Sequence, residues 1–304
     1  MLLRVTFLGT SAAQPTITRN LTSVAVRRAG DLVLFDCGEG TQRQMIRYGT
    51  GFDVAAVFFT HFHADHWVGA IGFLRTLSMQ GRTAPLHLYG PRPARRILEA
   101  VLFAGCDTLT FPVEIHEIAP GEVVGMGEAE VRAFATVHRA PSLGYVLAER
   151  ARPGRFHPDR AAALGVPSGP LYGELQRGRP VEVEGRTVRP EEVLEPPRRG
   201  RIVAITGDTR PTRETVEAAR GADLLVHDST FGDAEQARAA ETCHSTAREA
   251  ARVAREAGAA RLVLTHLSTR YDREPGTLAQ QAREEHPASE VAYDGLVVEV
   301  PLPE

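Results

Sequence analysis

The run Thr60-His61-Phe62-His63-Ala64-Asp65-His66 follows directly on the apolar stretch VAAVFF and places four ligand-capable side chains within six residues. His61 and His63 are two apart, so in an extended segment they share one face. Asp65 and His66 open the next helix and can address a neighbouring position. Neutral imidazoles combined with carboxylates suit Zn²⁺, whose bonds to histidine nitrogen are about 2.0–2.1 Å. The carboxyl end of a buried strand delivers such side chains into the crevice where α/β proteins bind ligands. A single histidine here would read as a turn residue. Three histidines and an aspartate at this spacing read as a metal site.

Four residues cannot close two metal positions, so partners must come from elsewhere. Three candidates share one context, a strand ending in a polar stop: His138 ends VRAFATVH, Asp208 ends RIVAITGD and His266 ends ARLVLTH. Asp208 is the natural bridge, because a carboxylate has two oxygens. The assignment is then His61, His63, His138 and Asp208 on one metal, and Asp65, His66, Asp208 and His266 on the other. A metal pair about 3.5–4 Å apart suits hydrolysis, since zinc lowers the pKa of a bound water to roughly 7. Zn²⁺ is the expected ion; Mn²⁺ or Fe²⁺ would also fit.

Asp65 is the candidate general base. A leaving alkoxide needs a proton donor outside the metal ligands, and His244 in CHSTA, just before a helix, is available. The helix N-terminus there, capped by Ser245 or Thr246, also favours a phosphate oxygen. Asp228 in LLVHDST is placed to orient His244. His87, His116, His157 and His286 lack such context and read as ordinary residues.

These groups need an α/β frame. LLRVTFLG reads as a strand, and LTSVAVRR with DLVLFDCG as a strand pair turning at Ala29-Gly30. Helices are expected over 39–48, 65–79 and 92–103, and strands over LHLYG, 128–138 and 143–148. Residues 150–200 are rich in Arg, Pro and Gly, too long for an ordinary loop, and read as an insertion with little core of its own. Alternation resumes with RIVAITGD, ADLLVHDS, STAREAARVAREAG, ARLVLTH, a helix over 277–285 and GLVVEV. The expected domains are a catalytic one over 1–149 and 201–304 and the inserted arm over 150–200.

Composition excludes several classes. No run of 18 apolar residues occurs among the 304, which argues against a transmembrane helix. MLLRVTFLG lacks a signal-peptide layout and reads as the first strand of a cytoplasmic protein. Cys37, Cys106 and Cys243 are widely spaced, giving no disulfide framework and no CxxC pair. A net charge of −3 disfavours generic DNA coating. Every basic residue is arginine, and 150–201 holds eleven arginines against seven acidic residues, a local surplus of positive charge.

The pattern H-x-H-x-D-H with a later His, Asp and His resembles the metallo-β-lactamase superfamily. FLGTSA from Phe7, FDCGEGTQRQ from Phe35, TGDTR from Thr206, CHSTA from Cys243 and THLSTRY from Thr265 narrow the resemblance to tRNase Z, the endonuclease that removes the 3′ trailer of precursor tRNA. That resemblance implies an αββα sandwich with a protruding arm, two Zn²⁺ per subunit held by the seven ligands above, a homodimer, and Asp65 and His244 as base and proton donor. Leu164–Leu175 resembles the Gly-Pro motif of the family's tRNA-gripping arm, and the single arm matches the short form. Substrate contacts are thereby expected at Arg19, Asn20, Gly169, Pro170, Ser268 and Arg270. Two positions depart from the family pattern. Ile17 stands in PTITRN where a lysine is usual, in a loop associated with sensing the tRNA 3′ end. HDST at His227 replaces HEAT, so Asp228 carries a carboxylate one methylene shorter.

Two other readings compete. A metallo-β-lactamase-fold phosphodiesterase acting on small phosphodiesters, cyclic nucleotides or sulfate esters would keep the metals but need no Gly-Pro arm. A non-enzymatic RNA-binding protein with a dead site would not need intact ligands and His244.

Overall fold

The computed structural model of the chain describes residues 2–102 and 108–303. Two compact units emerge, one of Met1–Ala148 with Ile202–Pro301 and one of Glu149–Arg201 with Leu302–Glu304. In the larger unit the strands β1 (Leu3–Gly9), β2 (Ser23–Arg28), β3 (Asp31–Phe35), β4 (Val54–Phe58), β5 (Leu86–Gly90) and β6 (Val113–Glu117) lie side by side in chain order. A second sheet starts with β7 (Val123–Met126), β8 (Ala129–Ala135) and β9 (Leu143–Glu149). In the smaller unit β10 (Val181–Val183) and β11 (Arg186–Val188) form a hairpin. The second sheet continues with β12 (Ile202–Ile205), β13 (Leu224–Asp228), β14 (Leu262–Thr265) and β15 (Ser289–Val291), and β16 (Val297–Val300) returns to pair with β1.

The two sheets face each other, with helices on their outer faces: α1 (Thr41–Tyr48), α2 (Ala64–Trp67), α3 (Ala70–Met79) and α4 (Ala94–Leu102) accompany the first sheet. The smaller unit carries α5 (Pro158–Ala163), α6 (Pro170–Gln176) and α7 (Pro190–Val193). The second sheet is flanked by α8 (Arg213–Ala218), α10 (Ala247–Ala257) and α11 (Gly276–Arg283), while α9 (Gln236–Thr242) contributes Arg238 and Thr242 to the cleft described below. This is the αββα sandwich. Strands buried on both faces read as unbroken apolar runs. On β4, Ala56 and Phe58 enter the core between the sheets while Val57, with Phe59 beyond it, packs under the helices. Phe35, Phe58 and Tyr145 meet in the central core, and the Tyr145 hydroxyl donates to the Phe59 carbonyl at 2.6 Å, tying the sheets together beside the site. Each such buried side chain contributes roughly 1.5–3 kcal/mol.

Several expectations are adjusted. The helix expected over 65–79 is broken between α2 and α3, because the Cys37 N–H takes the His66 carbonyl at 2.7 Å. That carbonyl is lost to the helical ladder. The helix expected over 92–103 runs from Ala94 to Leu102, and Phe103 and Cys106 lie outside the described residues. The strand expected over 128–138 stops at Ala135. Beyond it the Val137 N–H donates to the Thr209 hydroxyl at 3.0 Å, and His138 falls in the turn before β9. The segment 149–201 has a small core of its own, built by Ala161, Val166, Leu175, Val181, Val188 and Val193.

Candidate metal centre and active site

The histidines and carboxylates arrive from separate strand ends. β4 leads to Thr60, His61 and His63; β12 leads through Gly207 to Asp208; β14 leads to His266. Left-handed backbone turns the chain at two of these exits, at Gly207 (φ 61°) and His266 (φ 58°), and at Asp36 (φ 60°) just beyond β3. For non-glycine residues that conformation costs of order 1–3 kcal/mol and clusters where geometry matters. At Gly207 a β-carbon would also stand 2.6 Å from Thr60 Cβ, so only glycine lets β12 pass the histidine strand this closely.

His61 Nε2 lies 3.0 Å from His63 Nδ1, which is 3.1 Å from His138 Nε2. Asp208 Oδ2 is 3.6 Å from His61 Nε2 and 3.7 Å from His138 Nε2. Beside this group, His266 Nε2 sits 3.2 Å from Asp65 Oδ2 and 3.3 Å from His66 Nε2. Asp208 reaches both groups, with Oδ2 3.4 Å from His66 Nε2 and Oδ1 3.4 Å from His266 Nδ1. The seven residues grouped from sequence therefore converge. Among the described residues Asp208 Oδ1 is buried without a hydrogen-bond partner. Ring nitrogens facing one another and an unpartnered buried carboxylate oxygen are what a divalent cation completes, so the donor set fits metal.

The opposite ring nitrogens are occupied by the protein. His66 Nδ1 is 2.8 Å from Asp36 Oδ2, and His138 Nδ1 donates to the Cys243 carbonyl at 3.0 Å. Thr60 Oγ1 lies 3.1 Å from His61 Nδ1, and Thr230 Oγ1 lies 2.9 Å from His266 Nδ1. Such partners fix the ring orientation and direct the remaining nitrogen inward. Burial pushes the Asp208 and Asp65 carboxyls up, but the surrounding imidazoles outweigh it and hold both below the usual carboxylate range. At His266 burial opposes the charged ring, yet Asp208, Asp228 and Asp65 together push it up to about 10.

His244 stands next to this centre. Its Nδ1 is 3.0 Å from Asp228 Oδ2 and 3.2 Å from Thr230 Oγ1. Burial disfavours its charged form, but the Asp228 carboxylate prevails and raises the imidazole above its ordinary value. Asp228 is fully buried and also accepts from the amides of Thr209, Thr230 and Ser245. The shorter side chain in HDST thus reaches His244 without loss of contact. Thr246 and Glu249 form a capping box at the start of α10. Arg210 pairs with Glu249 and donates to the His244 carbonyl, fixing the turn that carries the ring.

An open cleft of ≈ 530 Å³ exposes the centre, lined by His63, Asp65, Asp208, His244 and His266 with Gln14, Arg238, Ser268 and Arg270. Ser268 and Arg270 therefore meet the cleft. Arg19 does not line it. Its guanidinium is buried and donates to Thr10 and to the Ala292 carbonyl, both at 2.7 Å, and so anchors the loop from inside. Asn20 holds the Glu39 carbonyl at 2.7 Å. Ile17, between them and the loop tip, is fully exposed. Gly169 and Pro170 open α6 in the smaller unit. Asp36, Thr60, Thr230 and Arg210 support the centre without having been singled out from sequence. Asp36 carried the signal that selected Asp208, a polar residue closing an apolar strand.

A profile of the β-lactamase superfamily domain matches residues 32–163 and 193–267. The chain is 63% identical to a ribonuclease Z of Myxococcus xanthus over 303 residues, covering 99% of each. It is 51% identical to a ribonuclease Z of Haloferax volcanii, covering 99% of this chain and 96% of that one. Among solved structures it is similar to the short form of human tRNase Z, with a TM-score of 0.72 and 28% identity over 98% of this chain and 100% of that chain.

Proposed function

The chain belongs to the ribonuclease Z family, and on that premise we propose that it is the hydrolytic endoribonuclease of precursor tRNA, cutting off the 3′ trailer to leave a 3′-hydroxyl. The observation that carries the mechanism is Asp208 joining two groups of histidines beside the His244–Asp228 pair. We assign His61, His63, His138 and Asp208 to one ion and Asp65, His66, Asp208 and His266 to the other, with Zn²⁺ as the ion. Bound there, two divalent ions supply Lewis-acid stabilisation of the phosphoryl oxygens and acidify the attacking water.

The protein's residues handle the protons and the substrate. Asp65, ionised at neutral pH and held by the Ala13 N–H at 2.7 Å, takes the proton of the attacking water. The new O–P bond forms as the bond from phosphorus to the tRNA 3′-oxygen breaks. His244, whose acid form is favoured by its pairing with Asp228, gives that oxygen a proton. Arg238 and Arg270, exposed along the cleft, offer cations to the RNA backbone.

The decisive experiment incubates purified protein with one labelled precursor tRNA, with and without a chelator, and maps the cut. A single metal-dependent cut leaving a 3′-hydroxyl is expected. Hydrolysis confined to small phosphodiesters would favour the competing phosphodiesterase.

Asp228→Asn tests the tuning of the donor. The acid form of His244 is the active one, so the rate falls as pH rises through its pKa. Asp228 raises that pKa, and neutralising Asp228 lowers it. The alkaline limb of the pH–kcat profile is therefore expected to move to lower pH; a limb superimposable on the parent's would remove Asp228 from this role.

We assign 150–200 as the tRNA-binding arm of a homodimeric cytoplasmic enzyme. The arginine surplus and the Gly169-Pro170 turn support it. Among the described residues no helix is long and apolar enough to cross a membrane. At the base of the arm, Arg201 makes a two-pronged contact to Glu149 at 2.7 Å, and a β-carbon on Gly200 would stand 2.1 Å from the Glu149 carbonyl. Residues 149 and 200 are thus adjacent, and deleting Arg150–Arg199 can be closed directly. The deletion is expected to weaken tRNA binding by about tenfold or more and remove part of its salt dependence. Hydrolysis of a chromogenic phosphodiester should persist. Unchanged tRNA affinity would refute the assignment.

A further inference from the structure

Two histidines that the cleft does not use stand together at an edge of the first sheet. On the parallel pair β5–β6, His87 lies opposite Glu114, and His116 lies opposite Tyr89. His116 is two residues beyond Glu114, so His87, Glu114 and His116 occupy one face of the sheet. The alternate residues Leu86, Leu88 and Ile115 pack under the helices on the other face. The three side chains are 40%, 49% and 37% exposed, open to an ion from solvent yet flanked by protein.

Their donor atoms converge. His87 Nδ1 is 3.3 Å from His116 Nε2 and 3.4 Å from Glu114 Oε2, and His116 Nε2 is 3.8 Å from Glu114 Oε2. Ligands about 2.0–2.1 Å from a tetrahedral ion stand roughly 3.3–3.4 Å apart. The central cluster shows comparable separations, 3.0 to 3.7 Å. A proton shared between the two rings would satisfy one edge of this triangle. A cation satisfies all three.

The orientation is built in. Phe58, Tyr89 and His116 stack in sequence, with ring centroids 4.7 Å and 4.6 Å apart. Burial and the neighbouring His87 lower the His116 imidazole, favouring the neutral form that ligates metal. Two imidazoles and one carboxylate select late first-row ions over Mg²⁺ or Ca²⁺.

We propose that His87, Glu114 and His116 form a separate, non-catalytic binding site for a late first-row divalent ion such as Zn²⁺, which clamps the edge strand β6 to β5. The site shares no residue with the cleft and does not depend on the ribonuclease reading. Its occupancy would stabilise the folded chain by linkage.

The test is calorimetric titration of Zn²⁺ into holoprotein whose central site is already filled. The parent should bind one further equivalent. His87→Ala and His116→Ala should each weaken that equivalent at least tenfold while precursor-tRNA cleavage stays at the parent rate. Substoichiometric Cu²⁺ should show hyperfine coupling to two nitrogens in the parent and to one in each variant. If His116→Ala disturbs the ring stack, as its melting temperature without added metal would report, His87→Gln carries the same measurement. A further equivalent bound with parent affinity in the histidine variants, or no further equivalent in the parent, would overturn the proposal.

Discussion

Asp65→Ala is expected to abolish cleavage of precursor tRNA. The residue is buried, and its Oδ2 meets the Ala13 N–H at 2.7 Å and His266 Nε2 at 3.2 Å. In the proposed mechanism it holds one ion and accepts the proton of the attacking water. Losing a general base alone costs about 10²–10⁴-fold, and losing a ligand at the same position multiplies that. Alanine also leaves His266 and His66 facing each other, 3.3 Å apart, with one counter-charge fewer, Asp208 remaining 3.4 Å from each. The measurement is single-turnover cleavage of labelled precursor tRNA, alongside metal content by elemental analysis. Asp65→Asn divides the two roles, because an amide oxygen can still ligate weakly but cannot accept the proton at neutral pH. Full metal content with no cleavage in Asp65→Asn would assign the loss to the base. Cleavage at the parent rate in Asp65→Ala would exclude both roles.

What could be read in the chain follows from how local each signal is. His61, His63, Asp65 and His66 lie within six residues, and their meaning is carried by spacing alone. Asp208 and His266 are over fifty residues apart, yet each ends an apolar strand, so a local pattern still marks them. Asp36 has that pattern too, but its role is to hold His66 Nδ1 at 2.8 Å, and nothing near Asp36 in the chain announces a histidine thirty residues away. Thr230 is harder still. Its hydroxyl touches Asp228, His244 and His266 at once, an arrangement fixed by the pairing of β13 with β14 and by the turn before α10. Threonines are common, and none of these contacts leaves a trace in composition. Among elements, the strands buried on both faces were legible, whereas β6, with sequence VEIHE, and β7, with VVGM, were not. Both are sheet-edge strands, where charge is tolerated and alternation is weak. Arg19 shows the limit of motif transfer. The residue is where the pattern puts it, but its guanidinium is spent on Thr10 and the Ala292 carbonyl inside the loop.

His244→Ala is expected to slow precursor-tRNA cleavage by about 10²–10⁴-fold, the usual worth of a positioned proton donor, while leaving the metal ligands in place. The ring belongs to none of the seven assigned ligands. Its Nδ1 is engaged by Asp228 at 3.0 Å, and the residue lines the cleft. The leaving group decides how large the effect is. A ribose 3′-oxygen departs as a strongly basic alkoxide and needs a proton during bond cleavage. A nitrophenolate is a weak base and leaves without one. The variant should therefore lose far more activity on precursor tRNA than on a nitrophenyl phosphodiester, measured at equal metal content. A parallel loss on both substrates would mean that His244 orients the centre instead of donating to it, since orientation serves either leaving group equally. Metal loss from the variant would give the same parallel pattern, and elemental analysis separates that case. The selective outcome, combined with an alkaline limb displaced by Asp228→Asn, would identify the transferred proton with the pair formed by these two residues, because His266, the other cleft histidine whose charge Asp228 favours, is assigned as a metal ligand and not as the donor.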